Sequence, residues 1–205
     1  LSPTLLNRYI TAAQKISRLA VGASTVKPGG QTYRIPADVT QESHVEGLPL
    51  GTRGGLLIPH SFSHDAEYEI RVRLARDRNE EIEGLTGSYD LDVLIDNKRI
   101  QRFTVAPPKI KKDYDSVDGN LSIRMPVKAG LHQVGVTFED RSDALLERQR
   151  QPYKVAFNMH RHPRLSPAIY QVSINGPFQI QGSGDTESRS NIFIAKPLSS
   201  AEEEE

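Results

Sequence analysis

The sequence predicts a mainly β protein, an antiparallel β-sandwich or jelly roll preceded by one α-helix, and three observations carry that expectation. Hydrophobic residues recur at helical spacing only at the start of the chain. After Gly22 the spacing becomes alternate and stays so through many short runs. Turn residues, and no further helical patterns, divide those runs, which excludes a parallel α/β body.

In chain order, Leu5, Leu6, Tyr9, Ala12, Ala13, Ile16, Leu19 and Ala20 fall on one helical face. Ser2 and Pro3 suit the cap and first position, and Lys15 and Arg18 lie near the negative end of the dipole. Residues 1–22 therefore read as an amphipathic helix, either the end of a preceding domain or a cap on the sandwich. Residues 23–198 form the sandwich. Gln31–Ile35 and Leu56–Ile58 are its first short strand candidates. Tyr68, Ile70, Val72 and Leu74 alternate with Glu67, Glu69, Arg71 and Arg73, the mark of a strand wet on one face. Tyr89, Leu91, Val93 and Ile95 repeat the pattern, and Asp96-Asn97-Lys98 turns the chain into Arg99–Val105 as a hairpin.

A second alternating pair, Leu121–Val127 and His132–Phe138, is joined by Ala129-Gly130. Tyr170, Val172 and Ile174 give a further strand, closed by Gly176-Pro177. Lys154–Met159 and Ile192–Ala195 are shorter candidates, and "DRSDALLERQRQ" (residues 140–151) is a short helix or a charged loop. Arg76–Ser88 and Ala106–Gly119 are expected as long loops at a sandwich end, where such length usually accompanies a function or mobility. Ser199–Glu205 is either an acidic tail or the first turn of a following helix, with serine capping and glutamates at the positive end. On the second alternative the chain is a piece of a longer protein.

Composition limits the chemistry. The 205 residues carry 26 basic and 26 acidic side chains, so no global field gathers nucleic acid or an anionic membrane. No run reaches the roughly 18 apolar residues of a membrane span, so no membrane insertion is expected. Cysteine is absent, which removes disulfides, thiolate metal sites, thiol catalysis and haem attachment from these residues.

The glycine-rich stretch "HVEGLPLGTRGG" (residues 44–55) leads into a strand and lacks the Gly-Lys-Ser/Thr of a phosphate loop, so it is no nucleotide cradle. Its glycines let backbone approach closely, and Arg53 is the one side chain there able to fork onto a carboxylate or a ligand. "KKDYDSVDGN" offers Asp113, Asp115 and Asp118 as oxygen ligands for calcium, although Val117 stands where a helix-loop-helix site wants an acid. His160 and His162 in "FNMHRHPR" point to one side of an extended chain, yet no third metal ligand is evident. With Arg161 and Arg164 beside them, a hydrogen-bonding or partner-facing role fits better. His60 and His64 flank a turn. Glu80, Glu81 and Glu83 lack apolar neighbours that would tune an acid, and no nucleophile elbow accompanies Ser61 or Ser63, so no enzyme is expected. Tryptophan is absent and aromatics make up 6% of the chain, so a sugar site would work mainly by hydrogen bonds or a bound cation.

Seven stretches, among them "LSPTLLNRYITAAQKISRLAVG", "HVEGLPLGTRGGLLIPHSF", "MPVKAGLHQVGVTF", "RHPRLSPAIYQVSINGPF" and "GDTESRSNIFIAKP", resemble in order the middle of large multidomain proteins of planctomycetes and related bacteria. Those proteins carry a cytochrome c-type domain and several families of unknown function. The resemblance implies haem only in another domain of the parent protein, a periplasmic or cell-surface location, and a β-region similar to jelly-roll carbohydrate-binding modules, some of them calcium-dependent. The expected role is thus non-catalytic polysaccharide binding, with Arg53, His60, His160 and Arg161 as candidate contacts and Asp113, Asp115 and Asp118 as a candidate calcium site. The alternative is a domain that docks the flanking domains of its own chain.

Overall fold

In the computed structural model, which describes residues 2–21, 27–110, 113–140 and 164–194, the alternating runs form eight strands. Helix α1 (Pro3–Val21) precedes β1 (Gly29–Arg34), β2 (Thr52–Phe62), β3 (Asp65–Leu74), β4 (Tyr89–Ile95) and β5 (Lys98–Val105). A single helical turn, α2 (Asp115–Asp118), leads to β6 (Ser122–Val127), β7 (Gly130–Glu139), β8 (Ile169–Gly182) and α3 (Glu187–Ile192).

Two antiparallel sheets result, in the orders β1-β8-β3-β6 and β2-β7-β4-β5. The pairings are nested: β4 with β5, β3 with β6, β2 with β7 and β1 with β8. One long antiparallel ribbon has been rolled into two layers, the topology of a jelly roll. Since successive strands run in opposite directions, the β2–β3, β4–β5 and β6–β7 turns share one end of the sandwich. The four longer connections between the sheets, the crossovers β1–β2, β3–β4, β5–β6 and β7–β8, share the other. Asp96 and Asn97, with φ of 50° and 62°, make the left-handed pair that a two-residue hairpin needs.

Between the layers, Ile70 and Val72 of β3 meet Leu91 and Val93 of β4 and Val134, Val136 and Phe138 of β7. Each buried side chain of this kind contributes roughly 1.5–3 kcal/mol. The intervening Glu67, Glu69, Arg71 and Arg73 lie on the outer face of β3.

Three elements differ from the sequence expectation. Strand β2 reaches far beyond Leu56–Ile58, because a register shift between Arg53 and Leu56 takes up the glycines and because an edge strand tolerates Pro59. Strand β8 does not close at Gly176-Pro177: its ladder with β3 absorbs an extra residue between Asn175 and Phe178, a bulge that keeps pairing beyond it. Ile192–Ala195 is not a strand among its described residues. Thr186 caps α3 by accepting the Arg189 amide at 3.2 Å, and this local signal prevails over the apolar Ile192 and Ile194. The Lys154–Met159 candidate and residues 141–151 lie outside the described residues.

Helix α1 packs beside α3, where the Arg189 guanidinium donates to the Val21 carbonyl. Its Leu5, Leu6, Tyr9, Ile10 and Ile16 remain exposed. No described helix is long and apolar enough to cross a membrane.

Candidate ligand-binding cleft

The crossover end is organised first by the glycine-rich segment. A Cβ on Gly55, whose φ is +96°, would run into the Val136 carbonyl and lie 2.9 Å from Thr137 Cα, so only glycine lets β2 back onto β7 there. The Thr137 hydroxyl stands within 3.0 Å of the Arg53 and Gly54 carbonyls and ties the bulge down. Leu48 folds back over the outer face of the sheet, where a Cβ on Gly135 would meet it at 2.8 Å.

Arg53 turns inward from this bulge and is only 5% exposed. Its Nη1 donates to the carbonyls of Pro167 at 3.1 Å and Gln41 at 3.4 Å. Its guanidinium lies 5.1 Å from the Phe138 ring centre and 5.7 Å from that of Tyr89, close enough for cation–π attraction. Burial pushes its pKa below the usual arginine value, and the Glu42 carboxylate opposes the shift. Beside it the Gln41 side chain donates to the Ile169 carbonyl at 2.7 Å and accepts the Ile169 and Gly55 amides. Arg164 does the same service one loop further out, donating to the carbonyls of Ala37 at 2.7 Å and Val39 at 3.1 Å. Its Nε lies 3.4 Å from Glu83 in an ion pair too poorly aligned for a hydrogen bond.

These anchors hold the crossovers apart and leave a cleft of about 340 Å³ between them, within the range of small-ligand sites. All four crossovers contribute, through Pro36, Asp77, Asp118 and Arg164, and the floor is apolar, from Ile35, Leu74 and Ile169. The ladder slips at the mouth, where Arg73 pairs with Gln171 but Leu74 with Ile169. Tyr170 sits at this bulge, 39% exposed, and bulges commonly re-aim a side chain in this way. Arg34 lies over the Tyr170 ring at 5.9 Å and donates to Gln171 at 3.3 Å.

Asp118 is fully buried and organises the charged wall. Its carboxylate accepts the Leu74 amide at 3.1 Å, Arg76 at 2.8 Å and Arg73 at 3.3 Å. Arg76 also donates to the carbonyls of Glu80 and Tyr114, joining two crossovers. Asp77 accepts the amides of Asn79 and Glu81 within its own turn.

The residues singled out from sequence are thus dispersed. Arg53 stands behind the cleft, holding Pro167. His60 lies between the sheets, its Nδ1 3.0 Å from the Tyr33 hydroxyl and its ring 4.6 Å from that of Phe62, and burial lowers its pKa. Asp118 lines the cleft, engaged by arginines, whereas Asp113 is exposed. Among the described residues no three acidic or imidazole groups gather as a metal site would require. His160, Arg161 and the Asp115 side chain lie outside the described residues. Sequence reasoning missed Arg34, Arg73, Tyr170 and Gln171, because only the nested pairing brings these strands side by side.

No protein-family model matches the chain, and no curated protein matches it either.

Proposed function

We propose that the protein is a non-catalytic carbohydrate-binding jelly roll whose sugar site is the cleft at the crossover end. The observation that supports this best is the composition of the cleft: an apolar floor, one accessible tyrosine ring at the mouth, and fixed amide and guanidinium donors around it. A sugar has that same mixture, with C–H faces for a ring and hydroxyls for donors and acceptors. Binding without catalysis fits two of the cleft carboxylates, since Asp118 is engaged by two arginines and an amide and Asp77 by its own turn. The sequence resemblance supports placing this module in a larger exported haem-containing redox protein, which it would hold near a polysaccharide.

Affinity electrophoresis against a panel of plant and algal polysaccharides, with and without calcium, tests the reading. Tyr170→Ala is expected to weaken binding at least about tenfold with the melting point unchanged. No retention by any polymer overturns the proposal, and retention that requires calcium would point to the Asp113–Asp118 segment.

One observation favours a second reading, a domain that docks neighbouring parts of a longer chain: Leu5, Tyr9 and Ile16 of α1 are 42%, 63% and 66% exposed. On that reading, Tyr9→Ser with Ile16→Ser destabilises the parent protein and leaves this chain's own unfolding unchanged.

A further inference from the structure

Resting on the carbohydrate reading, we infer that the ligand is an anionic polysaccharide, whose carboxylate or sulfate group is held by Arg34 and Arg73 on the outer face of the β1-β8-β3-β6 sheet while its sugar ring lies at Tyr170.

The sheet register places these groups. Arg34 pairs with Gln171, and Gln171 with Arg73, so two guanidiniums flank one amide on three adjacent strands. At the usual strand spacing their Cα atoms are about 10 Å apart, a span that two arginine side chains can close around one anion. The next row holds Thr32, Ser173 and Arg71, and the one after it Gly30, Asn175 and Glu69. Hydroxyl and amide groups therefore continue the face away from the cleft, as a polymer would need.

Charge on this face is unbalanced in one place. Arg71 is paired with Glu69 at 3.0 Å, and Arg124 with Glu67 at 2.7 Å. Among the described residues, neither Arg34 nor Arg73 has such a carboxylate of its own. Arg73, 44% exposed, reaches Asp118 at 3.3 Å, but that carboxylate already takes Arg76 at 2.8 Å and the Leu74 amide. Two like charges astride a single glutamine repel each other, a cost that an anion between them would remove. Asp77 and Glu80 also line the cleft, and their negative charge disfavours an anionic group inside it, which leaves the cleft for the neutral part of the sugar. Global charge is zero, so a preference for polyanions would have to be local.

Matched polymers test the inference on the whole chain: polygalacturonate against its highly methyl-esterified form, and dextran sulfate against dextran. The charged member of at least one pair should bind about tenfold more tightly, and about 1 M salt should erase the difference by screening. Which pair discriminates tells carboxylate from sulfate. Arg34→Gln, which removes one exposed charge, should lower affinity for the charged polymer about tenfold more than for its neutral counterpart, and Arg73→Gln should match it. Lys98→Gln, at the start of β5 near the opposite end of the sandwich, should change neither. Equal affinity within both pairs overturns the anion inference while the carbohydrate reading stands; no retention of any polymer overturns both. Arg34→Gln that binds like the parent protein, or single-stranded DNA that binds as well as the best polysaccharide, also overturns it.

Discussion

The two ends of the sandwich are closed by different means. At the hairpin end the strands are joined by two residues each, Ser63-His64, Asp96-Asn97 and Lys128-Ala129, and the gap between the sheets is filled by rings. Phe62 meets His60 and Tyr68 edge-on at 4.6 Å each, and His132 at 5.7 Å. Connections pass between the sheets at both ends, but at the crossover end the segments are longer. They are held by buried side chains that bond backbone carbonyls, Arg53, Gln41 and Arg164. Rings can pack a gap without leaving space, whereas a guanidinium reaches several carbonyls only by standing between segments. The same difference explains why the cleft opens at the crossover end, and why the arginines there divide into a buried set bonded to backbone carbonyls and a more exposed set, Arg34 and Arg73, on the outer face of the sheet.

The largest expected effect lies at the bulge that starts β2. Gly55→Ala places a Cβ against the Val136 carbonyl at a φ of +96°, and both the clash and the backbone strain lead us to expect a loss of about 3 kcal/mol or more. Urea unfolding measures it. A loss below about 1 kcal/mol would mean that β2 can move away from β7, and the rigid seat for Arg53 would be gone.

Arg53→Ala comes next. It removes the donor to Pro167 and Gln41 and the cation over Phe138, for an expected cost of about 3 kcal/mol. The variant should still bind sugar at temperatures where it remains folded. Intact melting with lost affinity would make Arg53 a ligand contact and erase the division between buried and exposed arginines.

That division was only partly legible in the sequence. Local signals sufficed for β3, β4 and β7, whose alternation depends on nothing but one dry face, and for the Asp96-Asn97 turn. They failed for β2, where two glycines and Pro59 look like strand breakers until the strand is known to be an edge with a bulge. They failed again at Glu187–Ile192, although Thr186 followed by Glu187 is a helix start that could have been read. The cleft was out of reach, since Ile35, Arg73, Asp118 and Tyr170 become neighbours only through the nested pairing. Glycine density drew attention to Arg53, yet glycines mark where backbone approaches backbone, and here that contact is internal.

The smallest expected effect tests the hairpin end. Burial lowers the His60 pKa from its ordinary 6.5, so the ring beside Tyr33 takes up a proton less readily in the folded protein than in the unfolded chain, which protonates it near that pH. The unfolded state then binds more protons, and stability rises with pH in this window. The contribution of His60 is fully present above about pH 6.5 and is lost as pH falls below it toward the folded value. His60→Phe, which keeps a ring against Phe62 without a titrating nitrogen, should therefore show a flatter stability curve than the parent between about pH 7 and pH 5. Urea midpoints for both proteins across that range give the comparison. Parallel curves would mean that water reaches His60 freely, and that ring packing does not seal this end as tightly as carbonyl-bound arginines seal the other.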